Sequence, residues 1–476
     1  MKKILIILMT FLVIASCTKL EDLNKNTKEP TSVPGVTLFS NAQVNLAKQI
    51  ASTNVNMNVF KLWAQYWTET TYTDEANYDI INRTIADNAF REWYRDVLMD
   101  FKEARLVIAA TTYATEAESK AAANQLVIID IMEVYVYERI VTLWGNVPYT
   151  EALDIENILP KYDDALTIYT DLITRINADI TNLDVTEASF GGADLIYGGD
   201  VAAWKLFANS LKLKMGTMLS DVDATLAATT INAAIAGSFT SNADNASFAF
   251  LSSTPNTNPL YVDLTLSGRQ DFVGTTTMLD NIMNPLEDAR RAAFYTFAPD
   301  TTIYLGGIPG ASSPYANFSH PGDVLTTDPT FPCLLISYSE VEFYLAEAAA
   351  RGITNDAIAD HYNAGITASF DYWNVAGAAD YIASTGVAYD PTKSWEEQIA
   401  TQSWIAFYNN GYLGWTVYRR FGYPTMPVAA DATISEIPSR FTYPVFEQTL
   451  NPANYADASA AIGGDLLTTK LFFDKH

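Results

Sequence analysis

Between Ala121 and Trp144 the chain is apolar on nearly every face of a helix, and Asp130, Glu133, Glu138 and Arg139 interrupt the run. A helix without a polar face has to be covered on all sides, and four ionised groups at its middle are poorly suited to lipid. The segment therefore predicts a central helix buried in protein, around which the rest must pack. Gly145-Asn146-Val147-Pro148 closes it, because Gly permits a C-cap conformation and Pro cannot continue a helix.

The N-terminus sets the compartment. Lys2 and Lys3 precede an apolar run from Ile4 to Ser16, which ends in Ile14-Ala15-Ser16-Cys17. A basic start, a short hydrophobic segment and small residues before the cleavage point are the requirements of an export signal. The run would reach about 20 Å as a helix, short of the roughly 30 Å hydrocarbon core, so it is too short for a lasting span. A Cys directly after the small pair looks like a bacterial lipobox. Residues 1–16 read as a signal peptide and Cys17 as the acylated N-terminus. Residues 17–36, with Asn24, Asn26, Pro30 and Pro34, read as a polar tether between lipid and fold.

Removing residues 1–16 takes away two lysines and no acids, so the formal charge goes from −26 to −28. Binding to a phosphate backbone needs a basic surface, which makes nucleic acid an improbable partner. Anionic lipid is repelled too, so the membrane is expected to be met through the anchor. With Cys17 acylated, Cys333 has no intramolecular partner. No disulfide is expected, and stability has to come from the core.

Further helices are predicted over Leu38–Ile50 and Met57–Thr68, after Pro160 with Tyr162, Ala165, Tyr169, Leu172 and Ile176 on one stripe, and over Ala202–Leu219 and Tyr338–Ala350. Helix pairs rich in Ala and Tyr resemble tetratricopeptide-type hairpins, in a degenerate array with no clean repeat. The expected fold is mainly α: a scaffold of such hairpins over residues 37–220 and 336–476. A loop-rich lobe with few short strands, residues 221–335, separates its halves. Runs such as Ser252–Pro259 and Gly306–Gly310 mark the lobe, and long irregular loops in a compact protein are usually functional surfaces.

Catalytic equipment is sparse. The histidines are His320, His361 and His476, none at zinc-ligand spacing with another, and neither a serine-hydrolase elbow nor a nucleotide-binding loop occurs. Paired acids such as Asp163-Asp164 and Glu396-Glu397 read as helix starts rather than acid/base pairs. No EF-hand spacing appears. Neither an enzymatic role, a cofactor nor a metal site is expected.

Several segments together resemble the SusD/RagB family of surface nutrient-binding lipoproteins, and more narrowly its SusD-like branch two. They begin with the lipobox and the Asn24–Pro34 tether. They continue through Trp144–Ala152, Trp204–Leu211, Tyr338–Ala348, Trp415 with Tyr418–Pro424, Arg440–Pro444 and Glu447–Asn451. The departures are Asn146 where Asp is usual and Leu471-Phe472-Phe473-Asp474 where a double Trp is common. The resemblance implies a cell-surface, outer-membrane lipoprotein that captures oligosaccharides and delivers them to a partner TonB-dependent transporter (SusC-like). Its alternatives are a peptide-binding member of the same family and a helical scaffold without a small ligand. It also implies that ligand meets the loop after the first helices, here Trp67, Tyr72, Asn77, Tyr78 and Arg83. From the lobe, Tyr261, Arg269 and Phe272 are added as aromatic and guanidinium groups flanked by polar loop residues.

Overall fold

The structure, a computed structural model, describes residues 33–475; the signal segment, Cys17 and most of the tether lie outside the described residues. The principal helices are α1 (Gly35–Ala51), α2 (Phe60–Trp63), α3 (Met99–Ala110), α4 (Glu116–Trp144), α5 (Ala165–Asn182), α6 (Val201–Met218), α7 (Ala224–Ala234), α8 (Tyr338–Ala350), α9 (Ile358–Tyr372), α10 (Trp395–Ala406) and α11 (Gly411–Phe421). Shorter helices and turns are named by residue. Strands are few: β1 (Trp67–Glu69), β2 (Ser247–Phe248), β3 (Phe272–Gly274) and β4 (Cys333–Leu334). They form two antiparallel pairs, β1 with β3 and β2 with β4. The mainly helical fold with a loop-rich region is as expected.

Consecutive helices pack in pairs, α4 with α5, α6 with α7, α8 with α9 and α10 with α11, and α5 packs on α6 to join two of them. The long apolar segment is the centre of the first half. α4 starts at Thr115, which forms a capping box with Glu118, and ends at Gly145 with φ 87°. A Cβ at Gly145 would also lie 2.9 Å from the Leu471 side chain, so both backbone and packing require glycine there. Each interrupting charge has found a partner. Asp130 and Glu133 pair with Arg105 and Arg175, Glu138 meets the Lys214 ammonium at 3.1 Å, and Arg139 donates to the Tyr135 hydroxyl at 2.9 Å and the Asn410 side-chain oxygen at 3.2 Å. Burying ionic groups is tolerable only with such partners.

The turn after α4 also explains the Asn146 departure. Its Oδ1 accepts from the Ala165 N–H at 2.9 Å, a role that needs a side-chain oxygen and no charge. Asp164 caps the same helix by accepting from the Thr167 N–H at 2.8 Å, so α5 begins five residues after Pro160 and Tyr162 lies ahead of it. Tyr162 instead donates to Glu447 at 2.7 Å.

One other expectation is corrected. A helix over Met57–Thr68 is replaced by the short α2 followed by β1: Gln65 takes the left-handed conformation, φ 54°, which ends the helix, and the residues beyond pair with β3. The lobe is also less irregular than its composition suggests, since α7, capped by Asp223, lies inside it. Among the described residues no helix is long and apolar enough to cross a membrane.

Candidate functional site

β1 leaves the scaffold and β3 belongs to the lobe, and their register of Trp67 opposite Gly274, Thr68 opposite Val273 and Glu69 opposite Phe272 brings the two regions together. The contact continues beyond the strands. The Thr70 N–H donates to the Asp271 carbonyl at 2.9 Å, its hydroxyl to the Gln270 carbonyl at 2.7 Å, and the Ser312 hydroxyl to the Thr70 carbonyl at 3.0 Å. The loop after the first helices and the lobe therefore share one face.

On that face a small cleft is lined by Arg269, Asp271, Phe272, Tyr315, His320 and Asp323. The Tyr315 and His320 rings are stacked, 3.4 Å between centroids and 9° from parallel. His320 Nε2 lies 2.7 Å from the Tyr315 carbonyl, which can only accept, so that nitrogen carries the proton. Burial holds the imidazole below its usual pKa, and it stays neutral. The half-buried pair forms a rigid aromatic plate beside one guanidinium and two carboxylates. An arrangement of this kind can hold a sugar ring by its C–H face while donating to and accepting from its hydroxyl rim.

The eight candidates fall into three groups. Arg269 and Phe272 line the cleft; Arg269 is exposed and pairs loosely with Asp271 at 3.6 Å, whereas Phe272 is buried and shows only a margin. Tyr72, 80% exposed at φ 55°, projects from the neighbouring loop two residues past Thr70, and Tyr261 is half-buried in the irregular turn Tyr261–Leu266 without lining the cleft. Trp67, Asn77, Tyr78 and Arg83 hold the face from behind. Trp67 donates its indole N–H to the Tyr408 hydroxyl at 2.8 Å and packs on Phe272, and the buried Tyr78 hydroxyl accepts from the Ala429 N–H at 3.0 Å. Asn77 donates to the Thr73 and Gly310 carbonyls at 2.8 and 2.7 Å and accepts from the Asp431 N–H at 2.9 Å, tying three segments. Arg83 forms an ion pair with buried Glu75.

Tyr315, His320 and Asp323 were not singled out from sequence. The one available signal was an aromatic five residues before a histidine inside the Ser- and Pro-rich run Ser312–Pro321, and nothing local to it predicts stacking.

Carboxyl pairs suited to acid/base chemistry lie elsewhere. Burial pushes Glu69 up to about 9 beside Glu75, which burial also raises, and Asp179 up to about 8 beside Asp130. All four are enclosed by protein or paired with arginine, and none of them lines the cleft. No group of three or more His, Cys, Asp or Glu side chains among the described residues could hold a metal ion.

The profile of the SusD-like family, described as "Starch-binding associating with outer membrane", matches residues 25–444, and the chain belongs to that family, whose members are binding proteins. Among solved structures it is similar to a chitin-binding protein, with 25% identity, TM-score 0.79, 93% of this chain and 100% of that one covered. A SusD homologue from Bacteroides uniformis gives 23%, 0.79, 92% and 99%, and a chitin-binding SusD homologue from Flavobacterium johnsoniae gives 23%, 0.78, 92% and 98%. A search of curated proteins gave no match.

Proposed function

We propose that the mature protein is a cell-surface lipoprotein of the outer membrane, anchored through Cys17, that captures oligosaccharides at the Tyr315 cleft and passes them to a SusC-like TonB-dependent transporter without transforming them. The observation that carries this reading is the stacked Tyr315–His320 plate lining one cleft with Arg269, on a face assembled from two distant segments. Tyr315 supplies a flat surface for a pyranose, and Arg269 donates to hydroxyls that Asp271 and Asp323 can accept from. Two carboxylates against one guanidinium favour a neutral glycan over a uronate-rich one. The chitin-binding relatives make N-acetylglucosamine polymers the first probe.

Electrophoresis of the mature chain through native gels cast with a panel of soluble polysaccharides, with peptides as competitors, tests the proposal. Retardation by a glycan, weakened in Tyr315→Ala, supports capture at this cleft. Competition by peptides with no glycan effect would assign the protein to peptide uptake, and no interaction with either would leave a scaffold role.

A further inference from the structure

A second and larger cleft opens where the lobe meets the second half of the scaffold, enclosing about 450 Å³ against about 90 Å³ for the first. Its volume falls within the ordinary range of small-molecule sites. Leu286 and the ring of Tyr423 give it an apolar floor; Asn281, Glu397, Lys393 and Thr425 stand at its rim. The Asn281 amide, the Glu397 carboxylate and the Tyr423 and Thr425 hydroxyls make no hydrogen bond to any described residue. Donors and acceptors are thus held ready around an aromatic ring, contributed by two regions far apart in sequence.

One chain segment runs between the two clefts. At one end of the segment 304–315, the Tyr304 carbonyl accepts from Asn284 at 2.9 Å and the Gly306 N–H donates to Asp280 at 2.8 Å, beside the second cleft. At the other end Ser312 is tied to Thr70, and Tyr315 lies in the first cleft. The strand of chain that follows Tyr423 runs the same way, reaching the segment where the Ala430 N–H donates to the Pro309 carbonyl at 2.9 Å.

We infer that this cleft is a second subsite for the same neutral glycan, so that the protein selects chains long enough to occupy both. The inference rests on the glycan reading of the Tyr315 cleft. One lysine and one glutamate at the rim leave no net charge to attract an ionic ligand. Peptides commonly add to a free strand edge, and neither strand pair lines this cleft. Linking two weak sites on one chain raises apparent affinity without new contacts at either.

Calorimetric titration of the mature chain with chito- and malto-oligosaccharide ladders, from dimer to octamer, tests it. For the ladder that binds, affinity should rise about tenfold or more once both clefts can be filled. In Tyr423→Ala, and independently in Asn281→Ala, that rise should vanish while dimer binding stays unchanged, and the exposed Asn281→Ala should also leave the melting temperature unchanged. Length-independent affinity, or a rise that survives both substitutions, overturns the second subsite and leaves the first intact. No binding at any length of either ladder overturns both.

Discussion

Arg440 and Arg269 stand in two regions with opposite habits. Arg440 is fully buried, bonded to Asp465 at 2.6 Å and to the Trp144 carbonyl at 3.0 Å, and Arg419 nearby donates to the Thr142 and Ser439 carbonyls with Trp415 3.6 Å beneath it. Arg269, 58% exposed in its side chain, has one loose ion pair. In the scaffold knot all of the Arg440 guanidinium nitrogens and both terminal nitrogens of Arg419 are spent on the fold, whereas the lobe leaves Arg269 exposed with one loose pair. A guanidinium becomes available to ligand where the fold does not need it.

Substitutions can break this contrast. Arg440→Ala leaves the Asp465 carboxylate without its partner and should cost about 3–5 kcal/mol, read as a lower denaturant midpoint; a change near zero would remove the scaffold half of the comparison. Glu69→Gln should act more gently and only with pH. Burial pushes the folded carboxyl up to about 9 from its ordinary 4.5, so the folded state holds the extra proton between those limits and stability falls as pH rises through them. The Gln variant should therefore melt several degrees above the natural protein at pH 8 and close to it at pH 4.

In the lobe the effects should move from stability to binding. Tyr315→Ala should weaken glycan affinity about tenfold, near 1.4 kcal/mol, with the melting temperature unchanged. Arg269→Ala should be the mildest, with about a threefold loss of affinity and a stability change within about 0.5 kcal/mol. A destabilised but binding-competent Arg269→Ala protein would show that the loose pair with Asp271 serves the fold after all.

The same contrast explains what could be read from the chain. The buried helix at 121–144 and the Gly145 turn carry local signals, because their apolar spacing, caps and breakers act within a few residues, and the structure uses them as the pattern implies. β1 was misread as helix because its partner, β3, lies about two hundred residues away, and no local periodicity reports a pairing at that range. Of the expected site residues, Trp67 and Tyr78 are buried and bonded to Tyr408 and Ala429, and the Tyr315–His320 stack has no local sequence signal. Residue type cannot tell an aromatic that faces outward from one that faces in when a loop decides its orientation.

The ionic groups of α4 have a consequence before folding begins. On the proposed function the chain is exported and first threads through the inner membrane, where a run as apolar as 121–144 risks being released sideways into lipid as a permanent span. On insertion scales each Asp or Arg near the middle of a segment opposes that release by about 2.5–3.5 kcal/mol. Asp130 and Arg139, which later find their partners in Arg175 and Asn410, would earlier keep the nascent chain moving.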